Sequence, residues 1–275
     1  MSSSFHRKWN IQVIQMNVRI GDPERNKNEV IQQIELAMQA EDKPDVIVLP
    51  EMWNTGYAWD RIHELADAGG QDTTELLCEL SAYYEVNLVG GSTAVWEQGE
   101  LCNRSYIYNR TGEQVHTYDK VHLFQLMDEH RFMKAGEHLG IFELDGVRCG
   151  VAICYDIRFP EWIRTYALHG IEVLFVPAQW PANRVRHWQS LLTARAIENQ
   201  IAIVGCNRMG ASIAADGQVT KFAGHSLVLD AWGDVIGSAD EKEQRLQAVI
   251  DLSVTNRVRE QIPVYQDRRA ELYTY

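Results

Sequence analysis

The chain has 275 residues, of which 45% are hydrophobic, so it can bury a sizeable core and does not have the composition of a disordered segment. Lys plus Arg number 26 and Asp plus Glu number 38, a formal net charge of −12 that argues against a nucleic-acid partner but leaves room for a small anionic substrate held by local arginines. No apolar run approaches the roughly 20 residues of a membrane span, and the opening stretch to Lys8 lacks the apolar core of a signal peptide, so a cytoplasmic location is expected.

Residues 10–16 alternate like a strand. Residues 24–41 follow a Gly-Asp-Pro start signal and carry Val30, Ile31, Ile34, Ala37 and Met38 at helical spacing. Val46 to Leu49 is a continuous apolar run, as in a strand buried on both faces. Residues 72–84 read as a helix opened by an Asp-Thr-Thr-Glu capping box. Strands are predicted near 87–92, 103–109 and 113–118, and residues 119–146 read as a long irregular segment, which in a compact domain is often functional. The second half repeats the order: strand 147–153, helix 159–169, strand 173–176, helix 184–199, then strands near 201–206, 225–230, 235–238 and 246–251. The repeat is one of pattern alone and suggests two similar α/β layers packed together. No Pro/Ser-rich linker separates them, so a flexible segment 1–8 and a single domain 9–275 are expected. Residues 252–275 have no clear partner in their own half and either dock on the core or reach a second subunit.

The five cysteines, Cys78, Cys102, Cys149, Cys154 and Cys206, are odd in number and form no CxxC pair, which disfavours a disulfide framework or a zinc site. Most free cysteines are buried hydrophobes. Cys154 differs, because a strand ends at Ile153 and Tyr155-Asp-Ile-Arg158 follows it directly. Strand, nucleophile, helix is the order of a nucleophile elbow, and a helix N-terminus or a nearby cation would favour the thiolate. Glu51 stands just past the buried strand and after a proline, where partial desolvation suits a carboxylate to act as a base. Its plainer reading is a loop brace. Lys120, in Tyr118-Asp-Lys120-Val-His-Leu-Phe, ends the last strand of the first half. Alone it reads as a solvated lysine; beside a thiol it would hold a developing oxyanion. A Cys–His hydrolase competes, with His122, His130, His138 and His187 as candidate partners.

At these loci the chain resembles the nitrilase, or carbon–nitrogen hydrolase, superfamily, whose Glu, Lys and Cys occur in this order. The likeness rests on Leu-Pro-Glu51-Met, Tyr-Asp-Lys120-Val-His-Leu-Phe and Gly-Val-Ala-Ile-Cys154-Tyr-Asp-Ile-Arg-Phe-Pro-Glu161, and runs over nearly the whole chain. It implies a four-layer α-β-β-α sandwich and, by analogy, a homodimer with 252–275 at or near the interface. It also places an assisting glutamate at Glu129, with Glu137 and Asp128 as neighbouring alternatives. Phe-Val-Pro-Ala-Gln-Trp180-Pro with Arg184-x-x-His187-Trp188 is similar to the bacterial omega-amidase subgroup, in which Pro-Ala-Asn-Trp-Pro is usual, so Gln179 is a departure.

The resemblance implies hydrolysis of the terminal carboxamide of a small 2-oxo acid ω-amide such as 2-oxoglutaramate, without metal or organic cofactor. Glu51 would take the thiol proton, Cys154 would attack, and Lys120 with the Tyr155 N–H would hold the oxyanion. Lys120, beside two glutamates, should stay charged and so is a poor base. Arg158 would bind the substrate's distal carboxylate, or else pair with Glu161 or Asp156. Trp180, Trp188 and His187 would wall or bind the pocket, while Arg195 and Glu198 read as a structural ion pair. A sister reading is deaminated-glutathione amidase, and a reading of another class is a non-catalytic interaction domain.

Overall fold

The computed structural model describes residues 8–213, 217 and 219–273. The segment expected to be flexible lies outside the described residues up to position 7, and Lys8 already opens the first strand, Lys8–Gln15. Two sheets carry the fold. The first orders Gln244–Asp251, Lys8–Gln15, Val46–Val48, Asn87–Val89, Glu100–Tyr108, Thr93–Glu97 and Asp67–Ala68, with Gln114–Asp119 also paired to Glu100–Tyr108. The second orders Val235–Ser238, Leu227–Leu229, Ala202–Asn207, Val173–Ala178, Val147–Val151 and Gly140–Leu144. Each sheet is built on three parallel strands: Lys8–Gln15, Val46–Val48 and Asn87–Val89 in one, Val147–Val151, Val173–Ala178 and Ala202–Asn207 in the other. The repeat read from pattern is therefore a repeat of sheet centres.

Alternation along the strands sets the layers. Val46 and Val48 point with Ile11 and Val13 into a core shared with Val151, Phe175 and Val204 of the second sheet. Ile47 points the other way, with Ile14 and Leu88, against helices Pro23–Met38 and Gln71–Tyr84. All three residues of Val46–Val48 are fully buried, each worth about 1.5–3 kcal/mol of transfer free energy. Helices Pro160–Leu168 and Val185–Asn199 cover the outer face of the second sheet through Ile163, Tyr166, Trp188, Leu192 and Ala196. The result is the expected α-β-β-α sandwich.

Four local features refine the expectations. Helix Gln71–Tyr84 has no Asp-Thr-Thr-Glu capping box; Gly70 is its left-handed N-cap, and Asp67 reaches over to accept from the N–H groups of Asp72 and Thr73. The irregular segment 119–146 contains strand Gly140–Leu144, turned onto Val147–Val151 at Asp145-Gly146, both with positive φ. Such an Asp-Gly pair between apolar runs is a strong hairpin signal. Hairpin Met209–Ile213/Val219–Ala223 was not expected at all. Finally, part of 252–275 docks on its own chain: helix Ser253–Gln261 is followed by Ile262, whose carbonyl accepts from Gln200 at 2.7 Å, and Arg259 donates to the Ile171 carbonyl at 2.7 Å. No helix among the described residues is long and apolar enough to cross a membrane.

Candidate active site

Glu51, Lys120 and Cys154 each follow the carboxyl end of a strand, where α/β sheets present ligand sites. Glu51 lies past Val46–Val48 in a turn clamped by the Ser92 loop: Met52 N–H donates to Ser92 Oγ at 3.0 Å, Trp53 N–H to the Ser92 carbonyl at 3.0 Å, and Ser92 N–H to the Pro50 carbonyl at 3.1 Å. The clamp needs Gly91, at φ +63°, because a Cβ there would stand 2.1 Å from the Pro50 oxygen. Lys120 is pinned by its own N–H to the Asn103 carbonyl at 3.0 Å and by its carbonyl from Gly136 N–H at 2.9 Å. Gly136 again permits a close approach, since a Cβ would meet the Asp119 oxygen at 2.1 Å.

The side chains converge in the interior. Glu51, Lys120 and Glu129 are fully buried and Cys154 is 4% exposed. Lys120 Nζ donates to Glu51 Oε1 at 2.7 Å and to Glu129 Oε2 and Oε1 at 2.7 and 3.0 Å. Asn103 Nδ2 bridges Glu51 Oε1 and Glu129 Oε1, at 2.9 Å each. Tyr57 OH donates to Glu51 Oε1 at 3.1 Å, and Gln179 N–H to Glu51 Oε2 at 2.7 Å. Glu129, at the start of helix Glu129–Phe132, also accepts from Phe124 N–H at 2.7 Å. Its alternatives are elsewhere: Glu137 is exposed, and Asp128 is exposed beside Arg131.

Titration follows from this geometry. Burial pushes Lys120 down, but Glu129 and then Glu51 outweigh it and hold the ammonium above its ordinary value. Burial raises the Glu129 carboxyl against the pull of Lys120. Burial likewise pushes the Cys154 thiol well up, Glu51 adds to that, and Lys120 offsets it in part. Lys120 thus acts on the thiol in the expected direction, but burial and Glu51 outweigh it. The cation is present, but it is already matched by two carboxylates, and the thiol has lost its water. The expected helix starts at Pro160, and Cys154 itself opens the short 3-10 turn Cys154–Arg158 that precedes it. Glu51 is the carboxylate hydrogen-bonded to this thiol.

Cys154 has φ 48°, left-handed for a residue with a Cβ, a conformation that costs roughly 1–2 kcal/mol. Asp156 holds the elbow in place. This buried carboxylate accepts from Ile153 N–H at 2.8 Å and Tyr118 OH at 2.8 Å on one oxygen, and on the other from His122 N–H at 2.9 Å, with His122 Nδ1 at 2.8 Å. His122 is therefore engaged by Asp156 and stacked on Phe159, with ring centroids 3.7 Å apart, rather than directed at the thiol. His130, His138 and His187 are exposed.

A small cleft opens on Cys154, enclosing about 230 Å³ with its mouth, and lined by Tyr155, Arg158, Gln179, Trp180, Arg184 and Phe124 among others. Arg158 pairs with neither Glu161 nor Asp156; its guanidinium lies 4.7 Å over the Trp180 ring and donates to His187 Nδ1 at 3.4 Å. Burial lowers its pKa, and Arg184 acts on it in the same direction. Trp180 forms part of the wall, whereas Trp188 packs behind it with ring centroids 5.5 Å apart. His187 reaches the cleft only through Arg158. Arg195 Nη1 meets Glu198 at 2.8 Å, on the helix and away from the cleft lining.

Residues 10–260 match the family model described as carbon-nitrogen hydrolase. The chain belongs to the carbon-nitrogen hydrolase family. Over 97% of this chain and 100% of the relative, it is 44% identical to "2-oxoglutaramate amidase" of Bacillus subtilis (strain 168). It is 39% identical to "Omega-amidase YafV" of Escherichia coli (strain K12), over 81% of this chain and 84% of that one. The crystal structure of the carbon-nitrogen hydrolase from Helicobacter pylori G27 shares the fold, with a TM-score of 0.89 at 23% identity over 98% and 97% of the two chains. Within this hydrolase fold, Tyr57, Asn103 and Arg208 carried no expectation from the sequence, Phe124 and Arg184 stood only within motifs, Gln179 stood only as a departure from one, and Asp156 had no expected role in the elbow. Gln179 and Arg208 directly follow strands Val173–Ala178 and Ala202–Asn207, so the strand-end rule that picked out Glu51 was signal enough.

Proposed function

We propose that the chain hydrolyses the terminal carboxamide of a small 2-oxo acid ω-amide, such as 2-oxoglutaramate, to the dicarboxylate and ammonia. The observation that carries this reading is Arg158: a guanidinium with no carboxylate partner among the described residues, in the wall of the same small cleft as Cys154. A planar guanidinium there suits the distal carboxylate of an ω-amide by a bidentate pair. The named activities of the Bacillus and Escherichia relatives support it.

Glu51 takes the Cys154 proton as sulfur attacks the amide carbon. Lys120 and the Tyr155 N–H receive the oxyanion. Two of the three Lys120 contacts fall on one carboxylate, Glu129, so one N–H can turn to substrate while both acids stay paired. The C–N bond breaks as Glu51 returns its proton to the leaving ammonia. Water, deprotonated by Glu51, then attacks the thioester, the C–S bond breaks, the acid leaves, and Cys154 recovers its proton. Glu129, through Lys120 and Asn103, keeps the set aligned. A cytoplasmic homodimer with one domain over 9–275 belongs to the same proposal; sedimentation of the purified chain checks the pairing.

Steady-state kinetics with 2-oxoglutaramate, 2-oxosuccinamate and deaminated glutathione test the reading. The ω-amides should give the higher kcat/KM, and Cys154→Ala should fold and release no ammonia. A large margin for deaminated glutathione would overturn the substrate, and full activity of Cys154→Ala would overturn the mechanism.

A further inference from the structure

The cleft contains a buried polar group that the mechanism leaves idle. Gln179 is 1% exposed and lines the cleft beside Cys154, yet its Nε2 has no hydrogen-bond partner among the described residues. Leaving such a donor buried and unpaired is costly, so native structures give it a partner. Its orientation is settled by chemistry. Arg208 Nη1, which can only donate, lies 2.9 Å from the Gln179 side-chain oxygen, so the oxygen must face Arg208 and the NH2 must face the other way. Arg208 is itself immobilised. It is fully buried, donates to the Met209 carbonyl at 2.7 Å and to the Val18 carbonyl, and lies 4.6 Å over the Phe222 ring. The Gln179 backbone is equally fixed, by its bond to Glu51.

Trp180, the next residue, carries the Arg158 guanidinium on its ring. Cys154, Arg158 and Gln179 line the same cleft, so a substrate with its amide at Cys154 and its carboxylate at Arg158 lays the carbons between them along Gln179. We propose that the Gln179 carboxamide reads carbon 2 of the substrate, donating from Nε2 to a 2-oxo oxygen and refusing a 2-ammonium group, which has only donors to offer. The site then separates 2-oxo acid ω-amides from the parent amino-acid amides. This inference rests on the ω-amide reading above.

Three amides of equal length test it: 2-oxoglutaramate, glutaramate with nothing at carbon 2, and glutamine. The wild type should prefer them in that order by kcat/KM. Gln179→Glu keeps an acceptor for Arg208 and turns an acceptor toward carbon 2. It should lower the 2-oxoglutaramate-to-glutaramate ratio at least about 10-fold, the scale of one lost hydrogen bond, and raise the glutamine-to-glutaramate ratio. Gln179→Met, which removes the donor without adding charge, should lower the first ratio similarly and is decisive if Gln179→Glu does not fold. Ratios unchanged in folded variants, or equal loss on all three amides, overturn the inference and leave the function standing. A wild type that cleaves none of the three overturns the function and the inference with it.

Discussion

Replacing Lys120 with methionine isolates the electrostatics of the buried cluster. The lysine, Glu51 and Glu129 together carry +1, −1 and −1, and all three are fully buried. Methionine fills similar space, removes three charge-assisted contacts of 2.7–3.0 Å, and leaves two carboxylates bridged by the Asn103 amide alone. Removing one partner of a buried ion pair costs about 3–5 kcal/mol. Here the cost depends on pH. Burial already raises the Glu129 carboxyl above its ordinary 4.5, and Lys120 is the largest opposing influence, so its loss raises that carboxyl further. A carboxyl whose folded pKa exceeds its unfolded one contributes stability below the unfolded value, and that contribution is lost as pH rises through the folded value. Lys120→Met should therefore be most penalised at pH 8 and recover toward pH 5.5, by up to about 1.4 kcal/mol per pH unit while the extra proton binds. Urea unfolding of wild type and variant at both pH values gives the difference directly. A penalty under about 1 kcal/mol, or one equal at both pH values, would refute the buried three-charge account.

Three further outcomes follow from the same geometry. The left-handed Cys154 makes Cys154→Gly about 1 kcal/mol more stable than Cys154→Ala, both without ammonia release; if alanine is the more stable by thermal unfolding, the backbone is not strained. Asp156→Ala leaves the Ile153 and His122 N–H groups without their carboxylate, so it should cost on the order of 3 kcal/mol and lower kcat at least about 10²-fold; an unaltered kcat in a folded variant would show that the elbow holds without it. Arg158→Met should raise KM for 2-oxoglutaramate about 10–100-fold and that for an uncharged small amide far less; equal effects would place the carboxylate elsewhere.

Glu51, Lys120 and Cys154 were legible because the sequence signals for them are local: an apolar strand, then at once a reactive side chain. Asp145-Gly146 and Gln98-Gly99 were equally local and show how turn chemistry hidden in polar stretches carries strands, Gly140–Leu144 and Thr93–Glu97, that hydrophobic runs alone do not mark. Asn103 was not legible in this way. It sits in mid-strand, between Cys102 and Arg104, and gains its meaning only when Glu51 and Glu129 arrive on either side of its amide. The balance of influences on the thiol was hidden for a related reason. Spacing reports that a cation is near Cys154, but whether that cation is already matched, and whether water still reaches the sulfur, depends on packing from both sheets. With the lysine committed to two carboxylates and the thiol desolvated, the proposed mechanism leans on Glu51 as the group that takes the thiol proton. On that proposal the residues that aim Glu51, namely Tyr57, Asn103 and the Gln179 backbone, matter to the chemistry as much as the thiol does.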